Sequence, residues 1–310
     1  MKLVTTRMLP LPPIEFNGEK MQIDCFQGDM SVFDGATIIV STALEKLDRD
    51  MIMALPDSVG LIANFGIGTN NIDVEAAKQR GILVTNTPTG VEDTADLTFY
   101  LILAAARRAT FNEKFVRTGG WDDENILGAI GSAVHHKTLG IVGFGSIGQQ
   151  VAKRALGFDM KVVYHGPNRK HEAEKTIDAT YYADLVEMLK VADIVSLNCP
   201  LTPSTHQIIN ADRLKAMKAG SVLVNTGRGP LVDEKALIEV LKKAAPVAAA
   251  GLDVFENEPH VPEELLALDN VTVLPHLGSA TVECRMDMVK IVMSNIHNFL
   301  AGNHDAMTTV

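Results

Sequence analysis

Cysteine, positive charge and long hydrophobic runs are all in short supply, and each shortage excludes something. Cys25, Cys199 and Cys284 are the only cysteines in 310 residues, odd in number and widely separated. They offer no disulfide framework and no C-x-x-C spacing, so a reducing compartment is expected and no metal site. Lys and Arg total 28 against 38 Asp and Glu, a net charge of −10. Nucleic acid or an anionic membrane would want a basic face, so neither partner is expected. The longest apolar helical stretch, Leu97–Ala106, is far too short to span a bilayer. The opening MKLVTTRMLPLPP lacks the apolar core of a signal peptide, and a cytoplasmic protein is the expectation.

What remains is 46% apolar and 21% charged residues, ordinary for a soluble globular enzyme. The length suffices for two domains. The organising stretch is LGIVGFGSIG, Leu139–Gly148, followed at once by the helical pattern QQVAKRALG. It predicts a buried strand turning sharply into a helix, with Ile147, Val151 and Ala155 on one face. Gly143 allows the tight turn, Gly145 lets the backbone approach a pyrophosphate, and Gly148 lets helix pack on strand. The pyrophosphate would then sit on the free N–H groups of Ser146, Ile147 and Gly148 at the positive helix end.

Before this stretch, apolar runs of strand length at Lys2–Thr6, Gln22–Phe26, Ala36–Ser41, Leu61–Phe65 and Leu83–Asn86 alternate with helical spacing at Leu44–Leu55 and Val74–Arg80. Pro10–Pro13 reads as a loop. A long helix is predicted from about Ala95 to Arg108, crossing from a first domain to a second. Gly119–His136, with the lone Trp121, has no clean period and reads as an arm that packs on another subunit. Strands then recur at Leu139–Phe144, Lys161–His165, Ile194–Cys199, Val222–Thr226, Val247–Val254 and Val271–Leu274, with helices at Ala183–Leu189, Ala211–Met217 and Glu234–Lys243. The expected fold class is α/β, two doubly wound parallel-sheet domains. Residues 96–284 form a Rossmann-type cofactor domain. Residues 1–95 and 285–310 form a smaller flavodoxin-like domain, completed by a final helix over Glu283–Leu300.

An NAD enzyme carries an acidic residue about twenty positions past the glycines to hold the ribose 2′-hydroxyl. Here the second strand ends in His165 and the loop continues Gly-Pro-Asn168-Arg169-Lys170, with no carboxylate until Glu172. Arg169 and Lys170 offer charge to a 2′-phosphate, with Asn168 and His165 as further donors. The pattern favours NADP(H), with NAD(H) the weaker cofactor.

Polar groups converge after three strands: Arg228 in NTGRG, Glu258 in GLDVFENEP and His276 in LPHLGSAT. At the carboxyl edge of a nucleotide fold, this set suits hydride transfer to a 2-oxo acid. Arg would clamp the carboxylate, His supply the proton, and the carboxylate keep His protonated and oriented. Along NFGIGTNNIDVEAAKQRGILVTNTP, VGFGSIG, NCPLTPSTH, NTGRGPLVDE, GLDVFENEP and LPHLGSAT the chain resembles the D-isomer-specific 2-hydroxyacid dehydrogenases. The resemblance puts Arg228, Glu258 and His276 on the catalytic positions and assigns the substrate carboxylate to the amides of Ile67 and Gly68. It extends the cofactor contacts to Thr94, Cys199, Pro200, Thr205, Thr226, Gly227, Arg228, Asp253, His276 and Gly278. It also implies a homodimer. With the acidic residue missing, the implied relatives are NADPH-linked glyoxylate and hydroxypyruvate reductases. Reduction of 2-ketogluconate or a bulkier 2-oxo acid stays open, as does a nucleotide-sensing corepressor, since the family includes those as well.

Overall fold

The computed structural model describes all residues except Pro10, Ala43, Leu44 and 122–125. The first residue of the predicted proline loop, the start of the helix predicted from Leu44 and part of the predicted arm thus lie outside the described residues. The chain divides into two compact units, Met1–Gly90 with Ala280–Val310, and Val91–Ser279. The sequence reading set these joins at 95/96 and 284/285. The long helix, Val91–Ala106, lies wholly in the second unit.

The first unit holds a parallel sheet of β1 (Lys2–Thr5), β4 (Gln22–Cys25), β5 (Ala36–Thr42), β6 (Leu61–Phe65) and β7 (Leu83–Thr85), in the order β4-β1-β5-β6-β7. A two-residue-per-strand hairpin, β2 (Glu15–Phe16) and β3 (Glu19–Lys20), stands apart from it. Side chains alternate along each strand, as the pleat requires. Val4, Ile39 and Ile62 face a core with Phe33, Ile52 and Ala76, whereas Leu3, Ile38 and Leu61 face one with Met288, Val292 and Ile296. The second core depends on helix Val282–Leu300, whose first turn is capped by the Thr281 hydroxyl accepting from the Cys284 amide at 3.1 Å. The helix predicted from Leu44 is in fact Arg49–Ala54. Leu47 bridges to Ile72 in extended form, and Asp48 then caps the helix by accepting from the Met51 amide.

The second unit carries a seven-stranded parallel sheet of β8 (Thr138–Val142), β9 (Lys161–His165), β10 (Ala179–Tyr181), β11 (Ile194–Leu197), β12 (Ser221–Asn225), β13 (Val247–Leu252) and β14 (Val271–Val273). Its order, β10-β9-β8-β11-β12-β13-β14, reverses between β8 and β11. A ligand crevice belongs at the carboxyl ends flanking such a reversal. Helix Val91–Ala106 packs on one face through Ala95, Phe99 and Ile102. Its close approach explains the small residues of β13, because a Cβ at Gly251 would meet the Leu101 carbonyl and Cβ at 3.0 Å. The short strand β10 and helices Ala109–Arg117 and His171–Ile177 were not read from the sequence.

Ile296 has no exposed surface and seals one face of the first sheet. Ile296→Ala should cost about 2–5 kcal/mol, as for other buried large-to-small changes. Urea denaturation measures this, and a midpoint within error of the parent would count against that core.

Candidate active site

The nucleotide end is built at the β8–β11 reversal. β8 runs into Gly143 at φ 94°, where a Cβ would lie 2.5–2.7 Å from the backbone and Cβ of Cys199, so only glycine fits. At Gly148 a Cβ would overlap the Gly143 carbonyl oxygen, so helix Ser146–Leu156 seats against the turn without one. Gly145 is the opposite case. Its Cβ position opens on empty space, and as N-cap it gives the helix no side-chain hydrogen bond. Uncapped first-turn amides beneath open space form the cradle that a dinucleotide pyrophosphate requires, so the residues fit that group.

At the carboxyl end of β9, the ring of His165 is pinned by Nδ1 to the Tyr182 carbonyl at 3.0 Å. Asn168, Arg169 and Lys170 follow in an exposed loop. Lys170 donates its amide to the Tyr164 hydroxyl at 2.7 Å, and Arg169 forms an ion pair with Glu174 at 2.9 Å. The segment after β11 is strapped by Thr205, whose hydroxyl donates to the Pro200 carbonyl and accepts from the Thr202 amide, both at 2.7 Å. Burial pushes the Cys199 thiol up to about 11, so it is neutral at physiological pH.

The chemical end lies beyond β12, β13 and β14. Asn225 shapes the first loop: its Nδ2 donates to the Arg228 carbonyl at 2.9 Å and its Oδ1 accepts from the Gly227 amide at 3.0 Å. The Arg228 guanidinium donates to the Gly227 carbonyl at 2.7 Å. Burial pulls the Arg228 pKa down, and the nearby Glu258 charge opposes that pull. Glu258 accepts from the Phe255 amide at 3.0 Å through Oε1, and Oε2 stands 2.6 Å from Nδ1 of His276. Burial raises the Glu258 pKa, but the His276 hydrogen bond and charge, the Phe255 amide and Arg228 together hold it below the ordinary carboxylate value. The carboxylate is therefore ionised at neutral pH and fixes which ring nitrogen faces it, leaving Nε2 as the outward one.

His276 has a left-handed backbone, φ 56°, a conformation that costs a non-glycine residue about 1–2 kcal/mol. Asp253, at the end of β13, stabilises it. Its carbonyl accepts from the His276 amide at 2.8 Å, and its carboxylate accepts from the amides of Leu277 at 2.7 Å and Gly278 at 2.8 Å. The resemblance named Asp253 as a cofactor contact, and in the turn each of its carboxylate oxygens accepts one amide. Thr94 lines the same spot, 3.4 Å from the Cβ position of Gly278. The Thr226 hydroxyl is 2.7 Å from that of Thr98, which sequence reading passed over. The second unit thus brings Arg228, Glu258 and His276 together and sets the glycine turn against Cys199.

Ile67 and Gly68 belong to the first unit, in the loop after β6. Two asparagines fix that loop: Asn64 Nδ2 donates to the carbonyls of Gly66 and Gly68, at 3.1 and 2.8 Å, and Asn86 Nδ2 to that of Ile67 at 2.8 Å. Neither asparagine was singled out in the sequence, although an amide side chain within or just after an apolar run, as at Asn64 and Asn86, is a usable signal. Among the described residues no cluster suited to a metal ion is found, and no helix is long and apolar enough to cross a membrane.

A half-buried guanidinium beside a carboxylate–imidazole pair, on a nucleotide-type sheet, can bind an anion and hand on a proton. Residues 99–278 match the model of the D-isomer specific 2-hydroxyacid dehydrogenase NAD binding domain. A glyoxylate reductase of Thermococcus litoralis is 45% identical over 283 residues, 87% of this chain and 85% of that one. Among solved structures, an NADPH-dependent glyoxylate/hydroxypyruvate reductase from Sinorhizobium meliloti, in complex with NADP and malonate, aligns with TM-score 0.86 and 33% identity over 100% of this chain and 96% of that one. A D-lactate dehydrogenase from Aquifex aeolicus complexed with NAD and lactic acid aligns with the same TM-score, 26% identity, and 100% and 99% coverage. This chain belongs to the D-isomer-specific 2-hydroxyacid dehydrogenase family, nicotinamide-linked oxidoreductases of small 2-oxo and 2-hydroxy acids.

Proposed function

We propose that the protein reduces a small 2-oxo acid of the glyoxylate or hydroxypyruvate type to its D-2-hydroxy acid, with NADPH preferred over NADH. The observation that carries the reading is the Glu258–His276 pair at 2.6 Å beside the half-buried Arg228. A bound reduced nicotinamide supplies the hydride. The Arg228 fork takes the substrate carboxylate and polarises the carbonyl, with the amides of Ile67 and Gly68 assigned to the same carboxylate. His276 delivers a proton from Nε2 to the carbonyl oxygen, while Glu258 holds Nδ1–H and compensates the charge of the imidazolium. Asp253 acts through the backbone, by holding His276 where Glu258 can reach it.

The NADPH preference is supported by the end of β9, where the sequence carries no acidic residue before Glu172 and Arg169 is half exposed. The names of the Thermococcus and Sinorhizobium relatives favour glyoxylate or hydroxypyruvate over a bulkier acid. The remaining cofactor contacts are assigned as the resemblance gives them, at Thr94, Cys199, Pro200, Thr205, Thr226, Gly227 and Gly278. We further infer a cytoplasmic homodimer built partly on the Gly119–His136 arm, where Trp121 is 65% exposed. A monomer in sedimentation at micromolar concentration would rule out the dimer.

His276→Ala should lower turnover with glyoxylate by about 10²–10⁴-fold while leaving NADPH binding nearly intact. Steady-state absorbance assays and fluorescence titration separate the two, and near-normal turnover would remove His276 from the mechanism. Arg228→Lys should also be severe, because a point charge does not replace a planar fork.

Glu258 gives a pH-dependent outcome. Its folded pKa is depressed, so its stabilising share is complete above the ordinary carboxylate range and is lost as pH falls through the folded value. Glu258→Gln should therefore lower the melting temperature most near neutral pH and converge with the parent in acid. Parallel melting curves at all pH values would contradict this ionisation.

A further inference from the structure

Glu174 has no part in the cofactor reading, yet it is the most firmly held side chain near the end of β9. Helix His171–Ile177 folds it back to the strand, leaving its side chain 13% exposed. The Tyr164 hydroxyl donates to its Oε1 at 2.7 Å. Arg169 donates through Nε to both carboxylate oxygens, at 2.9 and 3.1 Å, and through Nη2 to Oε2 at 3.0 Å. These bonds, first that from Arg169 and then that from Tyr164, hold the Glu174 carboxyl below its ordinary value, so it carries its charge at neutral pH.

The network does not end there. The Tyr164 ring is fully buried and stacks on Phe144, with centroids 4.1 Å apart and planes 17° from parallel. Phe144 lies between Gly143 and Gly145. A continuous chain of contacts therefore runs from the glycine turn through Tyr164 and Glu174 to Arg169.

The guanidinium offers two bidentate edges. Its Nε–Nη2 edge is occupied by Glu174, whereas among the described residues no protein acceptor is recorded for Nη1. Arg169 remains 53% exposed on its outer side. Resting on the reading that Arg169 meets the 2′-phosphate, we propose that Glu174 is the positioning residue for NADPH discrimination. By gripping the inner edge of Arg169, it presents the Nη1–Nη2 edge to the phosphate as a preformed fork. A long cation that must otherwise be ordered on binding is ordered beforehand. The contrary arrangement, in which Glu174 competes with the phosphate for Arg169, predicts an effect of opposite sign.

The test is fluorescence titration of NADPH, NADH and 2′,5′-ADP against the parent, Glu174→Gln, Tyr164→Phe and Arg169→Ala. Glu174→Gln and Tyr164→Phe should weaken NADPH and 2′,5′-ADP about two- to tenfold, with a much smaller change for NADH. Arg169→Ala should weaken the same two ligands further. Tighter or unchanged NADPH binding in Glu174→Gln, with NADPH weakened in Arg169→Ala, overturns the positioning role alone. An unchanged NADPH-to-NADH ratio in Arg169→Ala overturns the phosphate reading beneath it. Equal weakening of NADPH and NADH in Glu174→Gln, with a lowered melting temperature, marks a merely structural residue and also overturns the proposal.

Discussion

The chemistry proposed for this molecule rests on a carboxylate that never meets solvent. Asp253 has no exposed surface, and burial pushes its pKa up against the pull of the Leu277 and Gly278 amides and the His276 charge. So buried a carboxyl group is tolerable because hydrogen bonds replace its lost hydration. Those bonds fix the backbone of residues 276–278, and with it the left-handed conformation of His276. The imidazole then falls within reach of Glu258. The proposed proton donor is thus placed by main-chain geometry, set by one residue at the end of one strand.

The loops around it interlock. Gly229 admits no Cβ because Phe255 occupies the space, so the loop bearing Arg228 lies directly on the segment leading to Glu258. Asn225 fixes the first of these loops by bonding at both ends of its amide. The three strands thus deliver arginine, glutamate and histidine as one packed assembly. The glycine turn at β8 follows the same logic, since backbone meets backbone at Cys199 and at Gly148.

Much of this was legible in the residues because the signals are local. Continuous apolar runs of strand length mark β5 and β6, and glycines at 143, 145 and 148 announce a strand turning into a helix. Arg228, Glu258 and His276 each follow a strand, and parallel topology gathers such positions at one edge. Contacts that depend on a fold-back were not legible. Glu174 comes far after the glycines in sequence, yet a short helix returns it to the end of β9. The loop around Arg169, read as simply cationic, is therefore a charge pair. Strand β10 escaped notice because three residues carry no period, and the helix predicted from Leu44 is shortened because Leu47 bridges to Ile72.

The discontinuity of the first unit bears on how the chain acquires its shape during synthesis. Its five sheet strands are all made before residue 86, but one face of that sheet is covered by a helix that begins only at Val282. While the intervening unit emerges from the ribosome, Leu3, Ile38, Leu61 and Phe65 lack their apolar cover. The second unit is contiguous and has its elements in hand earlier. Nascent chains halted before the last helix would carry a bare hydrophobic sheet face, the kind of surface that chaperones hold and that aggregates when they do not.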